Sequence, residues 1–499
     1  MIEELIQSYN FATIFVTILI AVLWIIVARR PREYPPGPPV FPVLGNIPSL
    51  ISKDPVLKFT DLRRTYGDIY GLYIGKDFTV ILNGYEVIHD ALVKKGDVFS
   101  KRPRSEFHQL MFKEPGIVFA NGKAWKENRK FAQLALNEFG YGWTEKTMEE
   151  RINEEIRYFV NRIEAFEQPF DICESVNLSV ANVIAGILFG QRCEYDDSSF
   201  VSCLHSVGEA AKLFARTGLM MSCFPFLKSL PGDLLSLNKI EQIRQKPKQF
   251  LNSICMRHTE TYDKDIKRNV LDLYMKQIGL QTKNNSECGM FSEVNMRVMM
   301  GELLSAGSET TATCIIWIIL HLIRNPEIQR RLHEEIDDVI GKERSPNLED
   351  KIKLPFLEAT ILEGLRIAPV APLSVPHAVH EDVTFRGFVI PKETTVLVNL
   401  HSVLKDPHIW SEPDCFRPER FLDESGNISV PEEFIPFSVG RRACLGESLA
   451  RMELFLYTAT LLQKFTISSA EEGTLPSDRG HLGMTFSPLP FKIRLKERW

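Results

Sequence analysis

The chain has 499 residues, 44% of them hydrophobic and 25% charged, with a formal net charge of -5, so it can bury a large core and offers no basic footprint for nucleic acid. Its nine cysteines are odd in number and scattered, without C-x-x-C, zinc spacing or C-x-x-C-H, which argues against structural zinc, thioether attachment of a cofactor and an oxidising compartment. No low-complexity linker divides the chain after residue 50, so one large domain is favoured over the roughly three that length alone suggests.

From the N-terminus, Phe11 to Ala28 is an apolar run interrupted by Thr13 and Thr17, about long enough to cross a bilayer. Glu3 and Glu4 precede it and Arg29, Arg30 and Arg32 follow, an asymmetry that keeps the remainder of the chain on the cytosolic side. A cleaved signal peptide would need a basic start and a small-residue cleavage site instead. Residues 1–30 are therefore expected to form a membrane anchor, 31–48 a proline-rich linker and 49–499 the globular domain. The segment Pro35 to Asn46 reads as a stiff extended strut, because proline fixes φ and removes donors. Gly71 to Leu82 alternates in polarity and predicts a strand pair turning at Gly75-Lys76.

Trp125 and Arg129 share one face of a predicted helix, where an indole N–H beside a guanidinium can bind a carboxylate. From Glu145 to about Met275 the period is helical and motifs are sparse. There His205, His258, Phe224 and Phe226 read as packing or surface residues, and Thr282 to Gly289 follows as a polar loop. Val298 to Ile323 predicts an apolar helix interrupted by Ala306-Gly307-Ser308-Glu309-Thr310-Thr311. A mid-helix glycine costs roughly 1 kcal/mol, which small residues repay if they leave room against that face. A threonine hydroxyl competing for a helical carbonyl opens a groove there, and Thr310 with Glu309 makes an alcohol and acid pair able to relay protons through water.

Further on, Glu363-Gly364-Leu365-Arg366 puts opposite charges on one helix face, and Pro418-Glu419-Arg420-Phe421 adds a second arginine. Pro369 to Pro376 breaks the helix, and Val383 to Val398 reads as short strands. His377 and His380 lie on a strand-like segment whose alternate residues point apart, so H-x-x-H is not read as a metal site. Last comes Phe437-Ser438-Val439-Gly440-Arg441-Arg442-Ala443-Cys444-Leu445-Gly446, ahead of an apolar helix over Leu449 to Leu462. The loop presents the Cys444 sulfur at a helix start, where N–H groups and the dipole favour thiolate, a strong axial ligand for haem iron. Gly440 and Gly446 would allow close approach to a flat macrocycle, and Arg442 would reach a propionate.

This decamer is identified as the signature of the cytochrome P-450 superfamily, the haem-thiolate monooxygenases, and the chain resembles its microsomal animal branch from the N-terminal anchor to the last strand. The resemblance implies a mainly α fold with a small β subdomain (α+β) and haem b ligated by Cys444. It implies propionate contacts from Arg102, Trp125, Arg129, His377 and Arg442, with Phe437, Gly440, Gly446 and Ala306 around the macrocycle and Ala306 and Gly307 leaving room for dioxygen. Thr310 and Glu309 become catalytic residues. Glu363, Arg366 and Arg420 join in a buried network behind the cysteine loop, the region around Phe214 and Met220 acts as a substrate lid, and Val370, Ala371, Leu373, Thr485 and Phe486 line the pocket.

The implied activity is membrane-bound insertion of one oxygen atom from O2 into an apolar fatty acid, steroid or xenobiotic, at the endoplasmic reticulum with the catalytic domain facing the cytosol. No Gly-rich dinucleotide fingerprint follows a predicted strand, so electrons must come from a partner. NADPH-cytochrome P-450 reductase is expected, cytochrome b5 is left open as a second donor, and Lys126, Arg129, Lys130, Arg441 and Arg451 are candidates for its basic docking face. Two alternatives stay open: a haem-thiolate isomerase or dehydratase that needs no reductase, and a catalytically idle haem sensor.

Overall fold

The chain's helical periodicity turns into a bundle whose longest member is apolar nearly all round. The structure, a computed structural model, describes residues 30–499 apart from 53, 115, 142–146, 284–290 and 484, together with Thr13 and Phe15. All of the expected membrane span over 11–28 except Thr13 and Phe15, and most of the polar loop at 282–289, lie outside the described residues. The longer helices are α1 (Pro55–Tyr66), α2 (Gly122–Tyr141), α3 (Met148–Glu164), α4 (Cys173–Phe189), α5 (Ser198–Cys223), α6 (Leu237–Glu260), α7 (Val270–Lys283), α8 (Glu293–Arg324), α9 (Pro326–Val339), α10 (Pro355–Ile367) and α11 (Glu447–Lys464). Their starts are signalled locally. Asp54 accepts from Val56 and Leu57 N–H at the head of α1, Thr147 and Glu150 form a reciprocal capping box on α3, and Ser292 caps α8.

Helix α8 is the centre of the molecule. From Thr311 onward nearly every residue is buried, and it packs along α4, whose own residues are buried almost throughout. An all-round apolar helix of this kind belongs to a core or a membrane; here 67% of its most apolar window is covered by protein. Helices α10 and α11 pack against it as well. His258 is buried against Asp272 at 2.6 Å and His205 is exposed, as packing and surface residues should be.

The β component is small. Strands β1 (Ile69–Ile74) and β2 (Asp77–Leu82) form the expected hairpin, and β3 (His377–Ala378), β4 (Val383–Phe385), β5 (Phe388–Ile390) and β6 (Thr395–Val398) follow α10. The first sheet has the order β1-β2-β6-β3, with β6 parallel to β2 in the register Val80 to Val396. Strands β7 (Phe465–Ser469), β8 (Gly480–Leu482), β9 (Phe486–Pro488) and β10 (Ile493–Glu497) make two further two-stranded pairs, β7 with β10 and β8 with β9. The fold is mainly α with a small β subdomain.

One expectation needs correcting. The proline-rich segment does not stand clear as a strut but lies along the edge of β1. The Gly71 N–H donates to Pro36 O at 2.7 Å and the Tyr73 N–H to Asn46 Oδ1 at 2.8 Å, while Asn46 Nδ2 donates to Pro38 and Pro39 carbonyls. The reason is chemical. Prolines lose their donors but keep their carbonyls, and an edge strand has unpaired N–H groups to offer them.

Candidate active site

The site is built on one stripe of α8. Glu302, Ala306, Thr310 and Cys314 follow at intervals of four and so share a face. Ala306 is exposed among half-buried and buried neighbours in the middle of α8, and the Thr310 hydroxyl donates to its carbonyl at 2.7 Å. Ser308 makes the same kind of bond to Leu304 O at 2.6 Å, so two backbone carbonyls in this stretch are shared with hydroxyls, the groove-opening pattern expected of it. Gly307 has a different role from the one expected. A Cβ there would lie 2.8 Å from the Ile184 side chain, so its missing side chain lets α4 approach rather than making room for dioxygen.

Glu309 does not face the same way as Thr310, because consecutive helical residues are about 100° apart. Its carboxylate accepts from Thr485 Oγ1 at 3.0 Å, and Thr485 in turn meets Ser487 at 2.9 Å. Thr485 is thus buried as a holder of the acid. Of the other expected pocket residues, Ala371 is exposed and Val370 is buried, its carbonyl accepting from Phe486 N at 2.8 Å. Leu373 packs on the cluster of Tyr70 and Leu72. Phe486 stacks on Trp317 with centroids 5.5 Å apart, and Trp317 Nε1 donates to its carbonyl at 2.9 Å. Leu373 and Phe486 are therefore turned into packing, since a large apolar side chain beside an unfilled hydrophobic surface gains more from that contact.

Opposite the stripe, the loop before α11 is folded on itself. Cys444 N–H donates to Phe437 O at 3.0 Å and Ala443 N–H to Gly440 O at 3.2 Å, and Arg451 covers the Phe437 ring at 5.1 Å. Gly440 has φ of +78°, and a Cβ on it would sit 2.1 Å from Leu92 O. It is glycine for the loop's contact with its own protein, not for a macrocycle, while a Cβ on Gly446 would meet nothing within 4 Å. Cys444 is exposed to the cleft yet ringed by protein, and burial pushes its thiol up, against the Gly446 N–H and the Arg129 charge that pull it down. The Gly446 N–H at the helix start favours thiolate as expected, and desolvation by the surrounding protein opposes it; a cation bound at the sulfur would offset that desolvation. Across the cleft, Cys314 is pushed up to about 12 by burial and by Cys444.

Beside the sulfur lies positive charge without counter-charge. Arg102 is buried and donates to Val118, Val375 and Pro376 carbonyls at 3.1, 2.7 and 2.9 Å. Arg442 donates to Ser100, Ile117 and Ala120 carbonyls at 2.9, 3.3 and 2.6 Å and lies 3.9 Å over the Trp125 ring. Arg129 donates to Ala443 O at 2.8 Å. Among the described residues, none of these three guanidinium groups has a carboxylate partner. Burial, then Arg129, brings Arg102 down to about 9; burial, then Arg102 and Arg129, brings Arg442 down to about 8. His377 donates from Nδ1 to Phe99 O at 2.8 Å, and burial and the two arginines hold it down at about 3. The Trp125 Nε1 is buried without an acceptor.

Behind this, Glu363 and Arg366 are fully buried and paired at 2.7 Å, with Arg420 3.1 Å from the same carboxylate. The Arg417 N–H adds a further donor to Glu363 at 2.9 Å. The network expected from the resemblance is assembled in full. Glu302, which sequence reasoning passed over, accepts from the Ile117 and Val118 N–H groups, and Gly116 is the residue whose Cβ would strike its carboxylate. No sequence signal pointed to it, because the partners lie some 185 residues apart. On the surface, Arg441 is engaged by Asp97 at 2.6 Å and Arg451 by Glu447 at 2.9 Å, leaving Lys126 and Lys130 as exposed cations of the expected docking face.

An indole N–H lacking its acceptor and three guanidinium groups lacking their anion, set around an accessible sulfur, match a haem, with carboxylates for the cluster and iron for the sulfur. The class so defined is the haem-thiolate proteins. A model of the cytochrome P450 family matches residues 35–495. Cytochrome P450 2U1 of Homo sapiens is 35% identical over 94% of this chain and 90% of its own length. Cytochrome P450 2D4 of Rattus norvegicus is 36% identical over 96% of both chains, and cytochrome P450 2J2 of Homo sapiens 36% identical over 93% and 91%. The chain belongs to the cytochrome P450 family. It is a haem-b monooxygenase with an axial cysteine thiolate, which sets the isomerase and sensor alternatives aside.

Proposed function

We propose that this chain works at the endoplasmic reticulum membrane, held by residues 1–30 with its body in the cytosol. Its substrate is an apolar fatty acid, steroid or xenobiotic, and its electrons come from an NADPH-dependent reductase, with cytochrome b5 as a further donor. Cys444 holds the iron, while Arg102, Trp125, Arg129, His377 and Arg442 hold the propionates. When bound, the haem supplies oxygen activation, one atom of O2 entering the substrate and the other leaving as water.

The chain's own residues do the rest. Thr310 spends its proton on Ala306 O, so its lone pairs face the cleft and accept from a water there; that orients the water for proton delivery. Glu309, tethered by Thr485, is the acid from which the proton is replaced. Ala306 keeps the face of α8 low, and Val370 and Ala371 exclude water with apolar surface.

The observation that carries this reading is the accessible Cys444 sulfur beside three guanidinium groups without a carboxylate partner. Reduction of the haem-loaded protein under carbon monoxide is expected to give the red-shifted Soret band of a thiolate ligand, and Cys444→Ser to abolish it. Persistence of the band in that variant removes Cys444 from its role. Product formation is expected only when NADPH and the reductase are both supplied.

A further inference from the structure

The last hairpin brings polar groups to α8 as well as an apolar tip. Phe486 clamps β9 to that helix: its ring stacks on Trp317 at 5.5 Å, its carbonyl accepts from Trp317 Nε1 at 2.9 Å, and its N–H donates to Val370 O at 2.8 Å. Successive residues of an extended chain point to opposite faces, so with Phe486 turned onto Trp317, Thr485 and Ser487 share the other face. There their hydroxyls meet at 2.9 Å, and the buried Thr485 hydroxyl donates to Glu309 at 3.0 Å. A hydroxyl has one proton to donate, and Glu309 receives that of Thr485. Ser487 is therefore the donor to Thr485, and the bonds run in one sense from Ser487 through Thr485 to Glu309.

The outer end of this row is open to water. Ser487 stands directly opposite His481 in the antiparallel pair of β8 and β9, and residues so opposed carry their side chains on one face with Cβ atoms about 5 Å apart. His481 is exposed, Ser487 half-buried and Thr485 buried. Histidine is the side chain that trades protons with water most readily around neutral pH. Groups able to take and give a proton thus follow one another from the surface of the hairpin to the carboxylate on α8.

We infer that His481, Ser487 and Thr485 form the entry through which protons from bulk water reach Glu309. The inference rests on the proposed reading of Glu309 as the acid that supplies the cleft. The oxygen atom that leaves as water carries protons away, so Glu309 must be recharged after each delivery. In one transfer a proton leaves the His481 ring for the Ser487 oxygen, the Ser487 proton moves to the Thr485 oxygen, and the Thr485 proton moves to Glu309. His481 then takes a proton back from bulk water. Each hydroxyl gains one proton and loses one, no electrons move, and rotation of the two hydroxyls restores the original sense. His481, Ser487 and Thr485 act through Glu309 and are positioning residues.

The test uses the full-length haem-loaded chain with NADPH, the reductase and lauric acid as an apolar probe. Its readout is the ratio of hydrogen peroxide to water plus oxygenated product, because peroxide escapes when the proton for oxygen cleavage is late. Thr485→Val and Ser487→Ala should each raise this ratio about tenfold, below the roughly hundredfold weight of a positioned proton donor, since water fills part of the gap. Thr485→Ser, which keeps the hydroxyl, should restore the wild-type ratio. In dilute buffer His481→Gln should act like Ser487→Ala, and raising the concentration of a morpholine buffer at constant pH and ionic strength should reverse it. Without turnover, the infrared stretch of carbon monoxide bound to the reduced protein should broaden in Thr485→Val, where Glu309 has lost its tether, and keep its wild-type width in His481→Gln. An unchanged ratio in both Ser487→Ala and His481→Gln in dilute buffer overturns the entry while leaving Glu309 its role. So does a rise in His481→Gln that buffer fails to reverse. An unchanged ratio in Glu309→Gln overturns the reading of the acid itself.

Discussion

At the scale of single residues, two glycines six positions apart in sequence, Gly440 and Gly446, separate protein packing from cofactor packing. Gly440 combines positive φ with a carbonyl oxygen where its Cβ would be. Alanine there adds the strain of a left-handed backbone, about 1–2 kcal/mol, to a collision with backbone that cannot swing aside. Gly446 has φ of -96° and open space. Gly440→Ala is therefore expected to lower stability by about 2 kcal/mol or more and to reduce the haem content of purified protein. Gly446→Ala should fold normally. If it folds but no longer retains haem, a macrocycle packs against Gly446, and the absorbance ratio of Soret to protein bands reports which case holds. The decamer announced both glycines alike; what it could not announce was Leu92, 348 positions earlier in the chain and brought beside Gly440 by tertiary folding.

At the scale of elements, α10 and the meander after it are joined by one carboxylate. Glu363 takes bonds from Arg366, Arg420 and the Arg417 N–H in a region closed to water. Removing its charge leaves two buried guanidinium groups uncompensated, so Glu363→Gln is expected to cost about 3–5 kcal/mol, read as a fall in the urea midpoint. This network was legible because its charges sit at fixed spacings within motifs, and so were the hairpin at Gly75-Lys76 and the helical course of α8. The proline segment, Gly307 and Phe486 were read only in part, because each is decided by a partner distant in sequence: the edge of β1, Ile184 and Trp317. Glu309 and Thr310 are adjacent letters, and adjacency in a helix turns side chains apart. Burial likewise has no one-dimensional signature, so the desolvation that opposes the helix-start effect at Cys444 is visible only in the fold.

At the scale of the whole molecule, buried histidines and surface charge set how the protein responds to its solution. Burial, then Lys405, Arg324 and Arg366, holds His321 down at about 3; burial and Lys405 hold His401 down at about 4, with Asp54 and Asp414 pulling the other way. Both are neutral in the fold and have an ordinary value near 6.5 when unfolded. Unfolding therefore takes up protons below pH 6.5, and the stability each contributes is present above that pH and is lost as pH falls toward 3 or 4. The loss is about 1.4 kcal/mol per pH unit for each histidine. His321 is stacked between Trp317 and Phe416 at 5.9 and 4.8 Å, so His321→Phe keeps the stack and removes the proton. Its urea midpoint is expected to fall less steeply than that of the wild type between pH 7 and 5, by the slope of one proton. Charge outside matters at the same scale. Arg441 and Arg451 are already engaged by Asp97 and Glu447, so if the proposed reductase docks here through acidic groups, the attraction falls mainly to Lys126 and Lys130, exposed on α2 a turn apart and next to Arg129, which touches the cysteine loop. Replacing both with glutamate should slow reduction by the reductase at low ionic strength, and the deficit should shrink as salt brings the screening length below about 8 Å. Arg441→Glu should do less, since it releases Asp97 as it removes a cation already compensated. Stopped-flow reduction under carbon monoxide at two salt concentrations separates these cases, and equal rates for the double variant and the wild type at low salt would place the docking face elsewhere.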